Sequence, residues 1–163
     1  MNDTPHTVEQ ILTMLAAAPS RLAGITAGLS PAQLLAPPEP GEWSARDVLA
    51  HLRACSDTWG KYIRMILAED RPAIRAVSPR TWIKQTDYLE LEFQPSLQAF
   101  TAQRAGLLAV LEPLAPEAWE RPAIVTGVGK PIVRTVHTYA ERLAVHERDH
   151  VRQIERIVNT MHT

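Results

Sequence analysis

His146 and His150 stand four residues apart in the stretch Thr135 to Met161, TVHTYAERLAVHERDHVRQIERIVNTM. On a helix, that spacing puts two imidazoles on one face, one turn apart. The face is apolar. Val136, Tyr139 and Leu143 lead up to the pair, and Ile154, Ile157 and Met161 continue beyond it at the three-and-four spacing of a buried stripe. Two histidines thus occupy core positions, where a polar group without a partner costs free energy. A divalent metal ion would satisfy them; hydrogen bonds to neighbouring helices are the plainer alternative. A third imidazole, His51, falls beside Leu52 on a second apolar stripe, Val48, Leu52, Cys55, Trp59, Tyr62 and Ile66. Three neutral imidazoles fill part of the shell of a first-row divalent ion and leave a position for water or substrate, as catalytic sites do. The metal ligands read from the sequence are therefore His51, His146 and His150. Zinc and nickel come first as the ion, with manganese and iron also taking imidazole.

Other groups near these histidines have two readings each. Asp47, one turn before His51, could orient a ring nitrogen of that histidine, but it also sits three residues after Ser44, where it would close a capping box. Cys55, one turn after His51, could be a soft fourth ligand or a reactive thiol; a small buried core cysteine is the commoner outcome. Glu147 completes the pattern H-E-x-x-H, in which it would be the general base of a zinc protease. Context weakens that reading: Arg156 and Gln153 stand where the extended protease pattern needs histidine and glycine, and no sheet is evident to hold a substrate strand. On a charged helix, Glu147 is expected to be solvated. Trp43, Trp59 and Tyr62 could line a pocket or pack the core, and Trp82 and Trp119 sit in connections. Arg75, Arg80 and Arg134 could meet an anionic group. His137 is out of phase with His146 and faces elsewhere, and His6 and His162 are expected to fray with the termini.

The elements that must position these residues are helical. Val8, Ile11, Leu12, Leu15, Leu22 and Ile25 mark a helix over 7–28, with a break or kink expected near Ala18–Ser20 because Pro19 removes a donor. Ser30–Pro31 starts a short turn of helix. Ser44 caps the second long helix, with a Trp43–Val48 staple, ending near Glu69–Pro72. Residues 71–93 form a long connection with a helical turn at Thr81–Gln85. A third helix runs from Pro95 to Leu111, carrying Leu97, Phe100, Leu107, Leu108 and Leu111. Pro116–Trp119 makes one turn, and Ala123–Val125 with Pro131–Val133 could make a small hairpin or an irregular loop. Thr135 caps the last helix. The fold class read from this pattern is all-α: one domain over 1–163, a four-helix bundle with two long connections and a small hairpin before the last helix.

Composition excludes several classes of function. The 163 residues are 45% hydrophobic and 21% charged, which is globular rather than disordered. A formal net charge of -1 with no basic block argues against nucleic acid as a partner. No apolar run is long enough to cross a membrane, the N-terminus shows no secretory signal, and the single cysteine, Cys55, forbids an intrachain disulfide. A cytoplasmic protein is expected.

The stretch GEWSARDVLAHL, the helix ending ILAEDRP and the closing HERDHVRQIERI resemble the DinB/YfiT-like superfamily in motif order. The resemblance implies a four-helix bundle with a metal site carried by His51, His146 and His150. It also implies a metal-dependent enzyme on a small-molecule substrate, a low-molecular-weight thiol among the choices, acting as a thiol-linked transferase or a hydrolase. A homodimer is implied in the same way. Members of the family often carry an acidic residue shortly after the first histidine, where this chain has Ala54, Cys55 and Ser56, so no catalytic acid is carried over. The alternative function is a binding or stress-response module that keeps the fold, with or without the metal, but has no turnover.

Overall fold

Side-chain caps start three of the long helices. A computed structural model of the chain describes residues 4–162; Met1–Asp3, the first residues of the stretch read for a signal, lie outside them. Thr7 and Gln10 form a capping box at the head of α1 (Val8–Thr26). Ser30 and Gln33 do the same for the short α2 (Pro31–Leu35). Ser44 and Asp47 do it for α3 (Ala45–Ala68), where Asp47 Oδ2 accepts from the Ser44 N–H at 3.0 Å. Asp47 is thus a capping residue, the second of its two readings. After β1 (Ala73–Arg75) come α4 (Pro79–Trp82) and two 3-10 turns, Ile83–Gln85 and Tyr88–Glu90. The third long helix, α5 (Phe93–Leu111), begins two residues before the expected Pro95, which its open first turn accommodates. The chain then runs through α6 (Pro116–Trp119), β2 (Pro122–Thr126) and β3 (Ile132–Thr135) into α7 (Val136–Thr160), capped by Thr135.

In the bundle, α7 packs against α1 and α3, and α5 packs against the same two helices. Helices α1 and α3 therefore face each other across one diagonal, α5 and α7 across the other. One apolar cluster gathers Ile11, Leu15, Ile63, Leu111, Tyr139 and Leu143; the other gathers Leu22, Leu49, Leu52, Phe100, Val151 and Ile154. The expected hairpin is present: β2 and β3 pair antiparallel, with Ile124 opposite Val133. Strand β1 was not expected; it joins β2 in parallel, Ile74 opposite Val125. Three residues are too few for a period to show. Gly127 has φ +90, and a Cβ there would stand 3.1 Å from the Ala76 carbonyl oxygen, so this turn needs its glycine.

Of the break or kink expected at Pro19, the break does not occur: α1 is helical through it. Proline at position 19 deprives the Leu15 carbonyl of its helical donor. That carbonyl instead accepts a hydrogen bond at 2.9 Å from Nη1 of Arg104 on α5. The connection over 79–90 is held down by Asp57 on α3, whose carboxylate accepts from Trp82 Nε1 at 2.9 Å, from the Tyr88 hydroxyl at 2.5 Å and from Gln103 Nε2. The Arg53 guanidinium lies 3.8 Å over the Tyr88 ring, and burial with the Asp57 bond pushes the Tyr88 phenol up to about 12. His6 does not fray. Its N–H and its Nδ1 both meet Glu141 of α7, the latter at 3.1 Å, and its carbonyl lies 2.9 Å from His137 Nε2. His137 faces away from His146, as its phase predicts, while His162 is exposed beyond α7.

Candidate metal centre

The adjacent faces of α3 and α7 bring His51, His146 and His150 together. His51 Nε2 lies 3.3 Å from His146 Nε2, and His150 Nε2 lies 3.2 Å from the same atom. The three rings meet at steep angles, with centroids 4.4 to 5.0 Å apart. The Nε2 atoms of His51 and His150 thus both lie against the Nε2 of His146. Cys55 Sγ is 3.6 Å from His51 Nε2. The ligand atoms of His51, Cys55 and His146 all lie within 4.8 Å of one another.

Hydrogen bonding decides which nitrogen His150 offers. His150 Nδ1 lies 2.7 Å from Oε1 of Gln153, one turn further along α7. An amide oxygen only accepts, so Nδ1 carries the proton and Nε2 keeps its lone pair on the side of His146. Sequence reasoning missed Gln153 as a partner, although its place three residues after His150 was a usable sign. His146 Nδ1 is buried without a hydrogen-bond partner. Burial, then the charge that His150 would carry, holds both His51 and His146 down to about 4. Near neutral pH these two imidazoles are uncharged, the form in which they ligate metals.

These depressed values carry a stability consequence in the metal-free protein. In the unfolded chain an imidazole takes its proton near 6.5, whereas in the fold these two resist until about 4. Between those limits the unfolded chain binds more protons, so stability is full above about pH 6.5 and falls as the pH drops towards 4. The thermal midpoint of the metal-free protein is expected to decline across that window, and to decline less in His51→Asn. A midpoint flat from pH 7 to 4 would contradict the uncharged cluster.

Aromatic rings wall the cluster. Trp43, 37% exposed, lies near-parallel to His150 and tilted on His51, with centroids 6.4 and 5.3 Å away. Trp59 meets His146 edge-on at 5.2 Å. Tyr62 belongs to the core instead, packed on Tyr139 and bonded to the backbone of Val77. Trp82 serves the connection over 79–90 and Trp119 is buried. Of the three arginines read as possible anion contacts, Arg80 lies near enough to His51 to disfavour its protonation, and Arg134 sits over the Tyr139 ring at 5.7 Å. A cleft of about 490 Å³ opens beside His146, lined also by Trp59, Arg142, Glu141 and Asp149.

Glu147 is not solvated. It is 1% exposed and turns into the bundle, where Oε1 accepts from Arg104 Nη1 at 2.7 Å and Oε2 from Arg104 Nη2 and the Ser56 hydroxyl. Both carboxylate oxygens are committed, so Glu147 is no general base facing the histidines, and the H-E-x-x-H protease reading loses its catalytic residue. Burial pushes the carboxyl above the ordinary range, against the pull of Arg104. Ser56 also accepts from Arg104 Nη2 at 3.1 Å. The node joins Leu15 of α1, Ser56 of α3, Arg104 of α5 and Glu147 of α7. The charge of Arg104 between Phe100 and Leu107 on an apolar stripe was the sign of it in the sequence. Burial, with the Glu147 charge behind it, raises the Cys55 thiol to about 12.

Among known proteins, the chain is 24% identical over 147 residues to a candidate metal-dependent hydrolase of Geobacillus thermodenitrificans, covering 90% of this chain and 82% of that protein. It is 30% identical over 125 residues to another protein so described, from Bacillus licheniformis, covering 76% and 70%. The fold matches YfiT from Bacillus subtilis, described as a candidate metal-dependent hydrolase with an unusual four-helix bundle topology. The TM-score is 0.81 at 19% identity, over 99% of this chain and 92% of that one. Among the described residues no helix is long and apolar enough to cross a membrane. Residues 14–154 match the DinB superfamily, and the chain belongs to it.

Proposed function

We propose that this protein is a metal-dependent enzyme acting on a small molecule, with His51, His146 and His150 as the ligands of one divalent transition ion. The observation that carries this reading is the approach of two imidazole Nε2 atoms, of His51 and His150, to the Nε2 of His146 at 3.3 and 3.2 Å. Core histidines satisfied by the fold would each point to a separate partner. The clustered Nε2 atoms and the uncharged rings of His51 and His146 fit an ion held among them. When bound, the ion supplies a Lewis acid that lowers the pKa of a water or a thiol at an open position. The chain supplies the rest: Gln153 fixes the His150 tautomer, and Trp43 and Trp59 shield the rings. The cleft beside His146 admits a small substrate, with Arg142 at its wall. Hydrolysis is the reaction class that the relatives' names favour, and transfer of a low-molecular-weight thiol is the second, on the family resemblance. A homodimer belongs to the same proposal. Zinc and nickel are the ions proposed.

Metal content by elemental analysis, on protein purified without a histidine tag, tests this directly. One equivalent of a transition metal, lost in His51→Ala, is the expected result. Protein that takes up no zinc, nickel, manganese or iron would end the enzyme reading and leave a binding module. Gln153→Leu is expected to weaken metal affinity roughly 10–100-fold without changing the fold, as loss of a ligand's outer partner does. Equilibrium dialysis against a competing chelator measures it; equal affinity in the two proteins would show that Gln153 does not set the tautomer.

A further inference from the structure

Cys55 extends the proposed site, and its role rests on the reading that the three imidazoles bind a metal. Metal–nitrogen bonds of about 2.05 Å and a metal–sulfur bond of about 2.3 Å set tetrahedral edges of about 3.3 Å between nitrogens and about 3.6 Å between nitrogen and sulfur. The structure has nitrogen edges of 3.3 and 3.2 Å and a nitrogen–sulfur edge of 3.6 Å. Three of the six edges thus agree with a mixed nitrogen–sulfur tetrahedron; His51, Cys55 and His146 lie mutually within 4.8 Å, and His150 joins that group through His146. Cys55 sits one turn after His51 on α3, so the same helix presents both without any movement of the chain. Its side chain is fully buried, whereas His146 and His150 are half-buried, so the sulfur lies on the interior side of the cluster.

We propose that Cys55 is a fourth protein ligand, completing a three-histidine, one-thiolate set that selects a thiophilic ion such as zinc over manganese. On coordination the Sγ–H bond breaks, the proton leaves to solvent and the sulfur donates its electron pair to the ion; a coordinating thiol is deprotonated outright. Soft thiolate ligands favour zinc, while manganese prefers oxygen donors. The thiolate also halves the net charge left on a divalent ion. A substrate must then arrive as an added ligand from the side of Trp43 and Trp59, since the interior side is taken. Zinc sites tolerate such expansion to five ligands.

Cobalt(II) loaded into the full-length, metal-free protein reads the ligand set without any substrate. The expected spectrum has visible bands of tetrahedral intensity and a sulfur-to-cobalt charge-transfer band in the near ultraviolet. In Cys55→Ser and Cys55→Ala the charge-transfer band is expected to vanish while visible bands persist. Affinity should fall at least about tenfold, the loss seen even on removing a ligand's outer partner. Stoichiometric cobalt in the parent with visible bands and no charge-transfer band would overturn the fourth ligand and leave the three-histidine site standing. A parent protein that binds no cobalt would overturn the metal site itself, and the fourth ligand with it. The decisive spectrum is the parent's, so a variant that fails to fold does not blunt the test.

Discussion

Arg104→Ala is expected to cost about 3–5 kcal/mol of stability, the loss typical when one partner of a buried ion pair is removed. Arg104 is 2% exposed and its ion-pair partner Glu147 1%. Removing the guanidinium strands a carboxylate in the bundle, takes a donor from Ser56 and leaves the Leu15 carbonyl without its hydrogen bond. Each is a buried polar group without a partner. Against a net stability of roughly 5–15 kcal/mol for a domain, that is a large fraction. Urea unfolding of the metal-free protein measures it. The double variant Arg104→Met with Glu147→Leu should recover most of the loss, because apolar replacement of a whole buried pair is often neutral. A single variant that loses under about 1 kcal/mol would show that water reaches the node and screens it.

The opposite pattern is expected at His146→Leu. Metal binding should fall below detection, yet the metal-free protein should unfold at no lower a denaturant concentration than the parent. The reason is local. His146 places an unpartnered Nδ1 in a buried position and aims Nε2 at two other nitrogens. An unsatisfied buried polar atom costs about 1–3 kcal/mol, and leucine beside the Trp59 edge removes that cost while keeping apolar contact. Groups held for function are commonly destabilising to the fold that carries them. A core histidine would behave in the reverse way, so a marked loss of stability in the metal-free variant would return His146 to the ordinary core. Elemental analysis and a urea titration on one preparation decide it.

The helices were legible because their apolar stripes are long and their caps are explicit: Ser44 with Asp47, Thr135, and prolines at the turns. The three imidazoles were legible for the same reason, since a histidine interrupting a regular apolar stripe stands out. What escaped was pairing across the bundle. Leu143 and Val151, four residues to either side, put Glu147 on the buried face, but nothing local names its partner Arg104, 43 residues away. Periodicity locates a face, but not the long-range partner that makes a charge acceptable there. Pro19 misled in the same manner. The local rule that proline frees a carbonyl held; of the break or kink expected, the break did not occur, and a distant side chain supplies the missing donor. Strand β1 was too short for any pattern, and His6 is ordered by Glu141, a contact across 135 residues.

The proline in α1 also ties positions 19 and 104 together as an inherited pair. While proline occupies position 19, the Leu15 carbonyl depends on a side chain from another helix. An alanine there would restore an N–H of the helix's own and make the arginine partly redundant. Arg104→Ala should therefore be milder in a Pro19→Ala background, and a double-mutant cycle would read that dependence as a coupling energy between two residues 85 positions apart. In a lineage, the order of change matters: loss of the arginine costs less after the proline has gone than before, although Glu147 is stranded either way.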